Sequence, residues 1–384
     1  MTSSLEHVVG GGGALKAQRR AFSEISEVDW DALVAVTPFA TPFARHCVHR
    51  SWWAAYGASA HEQTLAVSNA SGKLVGIAPL MHRHELEPGD VAAKTTLRQT
   101  PGRAIRPVPA SATAVFFGAS YHSDYATVLA APDDLPGVCE AVVEFLTGQE
   151  PSRWDVVDLR RLRAGDPATD ELQAAFERRA GTFGLCVVRE VEDVCPVTTL
   201  PAGVDFEGYL GTLGKKERHE IRRKVRRAET AGEVRLVRSD DPLADLDAFV
   251  DLHQKRWGAD GLFPPTAGGA ASRRFFAGLF SDCVRAGIVD LSFLTVGGKR
   301  IAAGVTFDDG EAAYYYNAGV EPDARELSPG VVMVACYVQR AIEQGRERLD
   351  FLRGDEPYKY EWGAVDVPVE RLLVLRTEEG SEAR

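Results

Sequence analysis

The spacing of apolar and polar residues along the chain predicts helices and strands that alternate over most of its length. Leu65–Ser68 and Lys73–Met81 flank the turn residues Asn69–Gly72, a pattern that predicts a β-hairpin. A helical period of apolar residues predicts helices over Lys215–Ala231 and Ser328–Glu343. The other predicted helices cover residues 45–56, 135–146, 170–180, 246–256 and 272–286, and the other predicted strands cover residues 125–129, 154–159, 184–189, 290–296, 300–307, 312–318, 348–352 and 369–376. This order is typical of an α/β fold, with α+β character, on mixed sheets.

Two pairs of segments resemble each other across the chain. Asn69–Leu80 is similar to Val296–Phe307, and Trp154–Leu162 is similar to Glu347–Asp355. Two copies of one mixed α/β unit explain both similarities. We therefore predict a flexible N-terminal tail at residues 1–20, a first domain at 21–195 and a second domain at 196–384.

Composition and charge exclude several classes of protein. The chain has 384 residues, of which 45% are hydrophobic and 26% charged, as in ordinary globular proteins. It lacks an apolar run long enough to span a bilayer and an apolar signal-peptide core, so we expect a cytoplasmic protein without membrane insertion. Its six cysteines are scattered, which favours free thiols over disulfides or zinc ligands. The net charge of −11 gives no overall attraction to DNA, and alanine- and arginine-rich composition suggests a high-GC bacterial source.

One segment departs from this acidic balance. Gly214–Arg227 carries eight lysines and arginines against Glu217 and Glu220, and its apolar residues form one narrow stripe. Such a helix suggests a phosphate-bearing partner: a nucleotide cofactor, a lipid headgroup or RNA. A solvated helix held by ion pairs is an equally good interpretation.

Two segments of the second half are candidates for chemistry. Ser328, Pro329 and Gly330 precede a helix, and a helix N-terminus with free N–H groups can hold a phosphate, although an ordinary capped core helix has the same pattern. Asp350–Gly363 runs from an apolar strand into charged and aromatic residues. Ligand sites collect at such strand ends, although salt bridges in a packed loop are the alternative interpretation.

Further polar residues offer weaker signals. Arg256 and Trp257 end a predicted helix, and Tyr314–Asn317 end an aromatic strand whose alternate side chains face opposite ways. His82–Glu85 contains residue types that can bind a metal, but we expect a loop whose polar side chains face solvent, and no metal. The chain has no G-x-S-x-G, Walker A or G-x-G-x-x-G motif.

Taken together, the motifs resemble the CelD-like and FemAB-like branch of the GNAT acyltransferases, from about Trp30 to Leu375. The motifs are PFATPF…SWW, KLVGIAPL, YHSDYATVL, WDVVDLRRL, KKERHEIRRKVRRAE, LHQKRWG, YYYNAGVEP…SPG and DFLRGDEPYKYEWG. The resemblance implies two tandem GNAT-like domains, each a twisted mixed β-sheet flanked by helices. It also implies transfer of an acyl group from acyl-CoA, or of an aminoacyl group from charged tRNA, to an amine or hydroxyl of a small-molecule, sugar or peptide acceptor, without a metal.

The resemblance also implies roles for particular residues. Asp355 or Glu356 is then the base, and Tyr316 or Tyr315 the acid. The donor's acyl arm is expected along splayed strands at Ile301–Phe307 and Tyr314–Asn317. The donor's phosphates are expected at Ser328, Pro329, Gly330 and Val331, with help from Arg222 and Arg223 on the basic helix. The expected acceptor-binding residues are Arg256, Trp257, Asn317, Arg353, Lys359 and Tyr360.

One departure from the family pattern keeps alternatives open. Typical acetyl-CoA-binding members carry a Q/R-x-x-G-x-G/A loop, whereas this chain has Leu327–Gly330 with a single glycine. An N-acyltransferase using acyl-CoA is the first hypothesis. Aminoacyl transfer from tRNA is the second, and a scaffold that binds a ligand without turnover is the third. The first half has no similar helix start, so we expect one donor site.

Overall fold

The computed structural model describes residues 15–83, 105–108, 112–148 and 154–376. In these ranges the strands are β1 (Lys16–Arg19), β2 (His61–Glu62), β3 (Leu65–Ser68), β4 (Leu74–Ala78), β5 (Leu80–Arg83), β6 (Ala114–Phe117), β7 (Leu129–Ala130), β8 (Val156–Arg163), β9 (Leu185–Thr199), β10 (Val234–Arg238), β11 (Val289–Val296), β12 (Lys299–Asp308), β13 (Ala312–Val320), β14 (Arg348–Asp350) and β15 (Val365–Arg376). Together with the helices they confirm the predicted mixed α/β fold.

Side-chain capping bonds begin four of the ten described α-helices. The ten helices are α1 (Glu27–Val36), α2 (His46–Tyr56), α3 (Leu135–Thr147), α4 (Pro167–Phe183), α5 (Phe206–Thr212), α6 (Lys215–Ala231), α7 (Leu246–Trp257), α8 (Ala267–Gly278), α9 (Pro329–Glu343) and α10 (Pro357–Tyr360). The Asp166 side chain accepts from the N–H of Ala168 at the start of α4, and Gly184 ends that helix in the left-handed region. Among the described helices, none is long and apolar enough to cross a bilayer.

The strands form one large and one small sheet. The large sheet has the order β10-β11-β12-β13-β14-β9-β15-β8-β6-β5-β2, and the small sheet has the order β1-β3-β4-β7. In the large sheet, β6 runs parallel to β8 and β13 parallel to β14, whereas the other neighbours are antiparallel. Each half therefore contains one parallel pair, at β8 and β14, which are the strands of the second sequence similarity.

Each half is completed by a strand from elsewhere in the chain. β14 pairs with residues 197–199 at the end of β9, a strand that begins in the first half, and β8 pairs with β15, the last described strand. β9 and β15 also pair with each other at the centre of the sheet. The predicted boundary between residues 195 and 196 lies inside β9, so the two halves share one continuous sheet.

Buried apolar residues form separate cores on the two faces of this sheet. One core joins the halves and contains Phe43 and Trp52 of the first half with Phe276 and Phe307 of the second. A second core packs α5, α6 and α9 against the other face of β11–β13 and includes Tyr315. A third core lies within the first half, under α3 and α4. Because the two faces of β13 are both buried, its alternating side chains enter different environments.

The structure differs from the predicted elements in several places. Pro79 interrupts the predicted strand at residues 73–81, and its two parts, β4 and β5, enter different sheets. The predicted strand at 125–129 is mostly loop before β7. The predicted helix at 272–286 begins earlier as α8 and continues as a π-helical turn at Leu279–Cys283. Lys16–Arg19, expected in the flexible tail, pairs with β3.

Candidate functional site

The three tyrosines of β13 are divided between the two faces of the sheet. The register of β13 against β12 shifts by one residue between the pairs Thr306–Tyr315 and Val305–Asn317, so Tyr316 is the extra residue of a β-bulge. Tyr314 and Tyr316 face the core that joins the halves, and Tyr315 faces the core under α9. The predicted alternation is thus confirmed, and Tyr315 and Tyr316 belong to different surroundings.

An opening lies between β13 and β14. These strands pair only over three residues, from Ala312–Arg348 to Tyr314–Asp350. Past Asp350 the chain turns toward β9, and Leu352 adopts a left-handed conformation with φ of 58°. In the described part of the chain, no strand pairs with the outer edge of β13 beyond Tyr314. The expectation of a splay at Ile301–Phe307 is therefore wrong, because β12 stays paired with β13 from Ala302 to Asp308.

Tyr315 lies beside this opening among polar and aromatic side chains. Burial raises its pKa, and the positive charge of Arg256 nearby opposes that rise. Its ring lies 5.5 Å from that of Tyr337 and 6.3 Å from that of Phe351. Burial likewise raises the pKa of Tyr358, which is electrostatically coupled to Tyr315 and Arg256. Both phenols therefore keep their protons at neutral pH.

Glu356 lies in the same neighbourhood and is held by a buried lysine. The ammonium of Lys359 donates to the carbonyl oxygens of Leu352, Arg353 and Gly354 at 2.7–2.9 Å. It also lies 2.9 Å from Oε2 of Glu356, whose side chain is 39% exposed. Lys359 itself is 2% exposed. The expectation that Lys359 binds a substrate is therefore wrong: its charge is used to hold the loop that carries Glu356.

Tyr316 is occupied on the opposite face of the sheet. Its hydroxyl donates to the backbone carbonyl of His122 at 2.8 Å, and its ring stacks on that of Phe276 at 5.9 Å. His122 also bonds Tyr56, at 2.8 Å, and burial lowers the pKa of His122 to about 3. Tyr316 thus joins the two halves, and of the two tyrosines predicted as the acid, Tyr315 is the one on the face of the opening.

Two further predicted acceptor residues point away from Tyr315. Arg353 forms an ion pair with Asp124 of the first half. Tyr360 donates to Asp366 at 2.6 Å and lines a groove of about 340 Å³ together with Tyr209 and Glu217. Neither bond places these side chains beside Tyr315, and acceptor binding by Arg353 and Tyr360 stays a prediction.

The remaining predicted acceptor residues surround the end of β13. The guanidinium of Arg256 stacks over the ring of Trp257 at 4.6 Å. Trp257 donates from its indole to the carbonyl of Ala318 at 3.2 Å and is 40% exposed. Asn317 and Asp355 are both partly buried. The end of α7 therefore lies against β13 beside the opening, and acceptor binding by Arg256, Trp257 and Asn317 stays a prediction.

The start of α9 lies on the same side of the sheet. Ser328 occupies the N-cap position, as predicted, but it has φ of 53° and its side chain makes no capping hydrogen bond. Instead, its hydroxyl accepts from Arg227 of α6 at 2.7 Å. The N–H groups of Val331 and Val332 bond the Ser328 carbonyl. A Cβ built at Gly330 meets no atom within 4 Å, so space is open against this first turn.

The basic helix reaches this helix start through a residue other than the two that were predicted. Arg222 is paired with Glu207 at 2.5 Å and Arg223 with Glu220 at 2.7 Å, so both expected phosphate ligands are engaged on their own surface. Arg227, one turn further, reaches Ser328. Sequence spacing on α6 identifies the basic face but not which arginine meets a helix 100 residues away.

Two side chains of the site were thus missed, Arg227 and Tyr358. Tyr358 stands in the motif DFLRGDEPYKYEWG, and Pro357 before it signals the start of a helical turn. In the described ranges, no group of three His, Cys, Asp or Glu side chains is arranged to hold a metal. His84 and Glu85 lie outside the described residues.

Comparisons with known proteins identify the family of one segment and the fold of the chain. Residues 215–360 match the family model described as an acetyltransferase (GNAT) domain. FemX has a similar fold, with a TM-score of 0.56 at 12% identity over 93% of this chain and 96% of FemX. A conserved protein of unknown function from Bacteroides thetaiotaomicron aligns with a TM-score of 0.53 at 12% identity, over 91% of this chain and 98% of that one. No curated protein sequence matches the chain. The family match confirms the expected transferase.

Proposed function

Because the second half carries a GNAT-type acetyltransferase domain and the chain as a whole has the fold of FemX, we propose that the protein is an N-acyltransferase. It transfers an acyl group from acyl-CoA to an amine of a small-molecule, sugar or peptide acceptor. The observation that carries this proposal is the opening between β13 and β14 beside the start of α9. Tyr315, Tyr358 and Glu356 line that opening.

The donor's phosphates bind at the N-terminus of α9. This end carries the positive end of the helix dipole, which favours an anion. The N–H of Gly330 is available to a phosphate, whereas Pro329 has no N–H and the N–H groups of Val331 and Val332 bond the Ser328 carbonyl. The open space at Gly330 admits a phosphate close to the backbone. Arg227 adds a positive charge next to Ser328. The acyl arm then extends along the free edge of β13, whose backbone groups can bond its amides as a neighbouring strand would.

The chemistry follows from the groups around Tyr315. The amine nitrogen attacks the thioester carbonyl, a C–N bond forms and the C–S bond breaks. Glu356 takes the proton that the amine loses, and Tyr315 or Tyr358 donates the proton that the thiolate gains. Burial keeps both phenols protonated at neutral pH, which suits the role of acid. Direct attack needs no covalent enzyme intermediate.

Calorimetric titration with CoA, acetyl-CoA and longer acyl-CoAs tests the donor. We expect a dissociation constant near 1 μM, about −8 kcal/mol, and loss of binding in Gly330→Trp. Gly181→Trp is the matched control, because Gly181 also lies in a helix with open space around it. Absence of binding by every CoA species, or equal binding by both variants, contradicts the donor site.

Release of free thiol from acetyl-CoA in the presence of a panel of primary amines tests the base. We expect Glu356→Gln to abolish thiol release while the calorimetric affinity for acetyl-CoA stays within about twofold, since a general base contributes ~10²–10⁴ in rate. Asp355→Asn tests whether the neighbouring carboxylate of Asp355 is the base instead of Glu356. Full activity of Glu356→Gln contradicts the assignment. CoA binding without thiol release from any amine supports a binding scaffold.

An aminoacyl-tRNA donor is the second candidate function, and one observation favours it. Lys216, His219, Arg223 and Arg226 are all exposed and follow each other at spacings of three or four along α6. In the described part of the chain, no ion pair holds Lys215, Lys216 or Arg226. This row leads along α6 toward Arg227 and the start of α9 and could track a nucleic-acid backbone. Salt-dependent binding of charged tRNA that is lost in Lys216→Glu/Arg226→Glu, without binding of CoA, would replace the first candidate.

A further inference from the structure

The loop that carries Glu356 is attached largely to parts of the chain outside the matched GNAT segment. This loop runs from Phe351 to Glu356, between β14 and α10. Its own backbone is unusual, since Leu352 and Gly354 have φ of 58° and 101°. A non-glycine residue in the left-handed region persists only where surrounding contacts impose it. The contacts around the loop come from the first half, from β9, and from Asp350 and Lys359 of the second half.

Two side chains of the first half bond the loop and the strand end before it. The carboxylate of Asp124 forms an ion pair with Arg353, and the hydroxyl of Tyr125 donates to Asp350 at 2.8 Å. Asp350 in turn accepts from the N–H of Leu352 at 2.7 Å. Asp124 and Tyr125 are at most 9% exposed. These bonds are therefore little weakened by solvent.

β9 adds two backbone bonds on the same side. The N–H of Phe351 donates to the carbonyl of Pro196, and the N–H of Gly354 donates to the carbonyl of Val194, each at 3.0 Å. From the second half, the ammonium of Lys359 donates to the three carbonyls at 352–354 and forms an ion pair with Glu356. The loop thus has a fixed path from Asp350 to Glu356, set from both halves.

We infer that Asp124 and Tyr125 are positioning residues for the base Glu356, so that the first half serves acyl transfer by holding the catalytic loop of the second. This inference rests on the proposed role of Glu356. The first half then contributes to the reaction without binding a ligand of its own. Neither residue touches the donor helix α9, so donor binding is independent of them.

The experiment compares Asp124→Asn and Tyr125→Phe with Glu140→Gln in the full-length protein. Glu140 is a matched control, because it also forms ion pairs in the first half, with Arg178 and Arg179, but is remote from the loop. Hydrogen–deuterium exchange of peptides covering residues 351–360 reports on the loop. Thiol release from acetyl-CoA with the amine panel gives kcat, and calorimetry gives the affinity for acetyl-CoA.

We expect faster exchange at Phe351 and Gly354 in Asp124→Asn and Tyr125→Phe, with kcat reduced by about tenfold or more, since a displacement of about 1 Å costs up to ~10² in rate. The affinity for acetyl-CoA should stay within about twofold, and Glu140→Gln should resemble the wild type. Unchanged exchange, or unchanged kcat while Glu356→Gln is inactive, overturns the inference and leaves the proposed function intact. A joint loss of kcat, donor affinity and melting temperature also overturns it, because that pattern marks a structural role. Full activity of Glu356→Gln overturns the base assignment itself.

Discussion

Replacing Lys359 with methionine tests whether a buried charge organises the candidate active site. The lysine side chain is 2% exposed, and its ammonium donates to three carbonyl oxygens while lying 2.9 Å from Glu356. Methionine keeps most of the apolar stem and packs in a similar volume. The substitution therefore removes the charge and its bonds without opening a large cavity.

The expected loss follows from these contacts. Hydrogen bonds to a charged group contribute about 1.5–3 kcal/mol each, so the three bonds set an upper limit of roughly 5–9 kcal/mol. Part of this is offset, because the variant no longer buries an ammonium. What remains are three carbonyls and one carboxylate without their cation. Removing one partner of a buried pair typically costs 3–5 kcal/mol, and we expect Lys359→Met to lower the free energy of unfolding by about 3–5 kcal/mol.

Urea denaturation followed by circular dichroism measures this loss, with Lys255→Met as the matched control. Lys255 also pairs with two carboxylates, Asp251 and Glu321, but it lies on the surface with 42% of its side chain exposed. Exposed pairs contribute little, so we expect no clear change in the midpoint for the control. If Lys359→Met loses no more stability than Lys255→Met, the three carbonyl bonds do not organise the loop.

Three further outcomes follow from the site. Arg227→Ala should weaken acetyl-CoA binding by about tenfold, or ~1.4 kcal/mol, in calorimetry, whereas Arg223→Ala, already paired with Glu220, should not. Tyr315→Phe should lower kcat for thiol release with donor affinity unchanged, and equal activity of the variant and the wild type would exclude this phenol as the sole acid. Burial raises the pKa of Asp350 from 3.8 to about 6. Between about pH 4 and about pH 6 this carboxyl is therefore protonated in the folded state but ionised in the unfolded state. The free energy of unfolding should therefore fall as pH rises from about 4 to about 6, by roughly 3 kcal/mol; Asp350→Asn should abolish that slope in urea titrations at a series of pH values.

Helices and strands that depend on local sequence patterns were predicted correctly, whereas segments that depend on distant contacts were not. α6 and the hairpin strand β3 have the predicted bounds, because an amphipathic period and a turn signal are local properties of the sequence. β6, β10 and α5 were missed, since short segments carry too little periodic signal. The strand predicted at 125–129 is mostly loop, and its residue Tyr125 instead bonds Asp350 across the two halves. A contact of that kind leaves no local pattern.

The candidate site shows the same division. The motif from Asp350 to Gly363 was predicted to carry the chemistry, which stays a prediction, and the structure places Glu356 and Tyr315 near Tyr358 of that motif. Three side chains that were predicted to bind or react with substrate have structural contacts instead. Lys359 holds the loop of Glu356, Arg353 pairs with Asp124 of the first half, and Tyr316 faces the other side of the sheet. Charge and residue type name candidates for binding, but burial and the identity of the partner decide whether a charge remains available.

By itself, the sequence determined the mixed α/β class, the internal repetition, the helix start at Ser328 and the segment where carboxylates and tyrosines collect. These follow from local periodicity, capping and composition, which need no knowledge of distant contacts. Only the tertiary structure decided that β9 and β15 complete each other's halves, that Arg227 reaches Ser328, and that Asp124 and Tyr125 hold the loop of Glu356. Each of these is a meeting of residues far apart in the chain. Their partners are set by the packing of the whole sheet, because a strand's neighbours depend on every other strand that competes for the same edge.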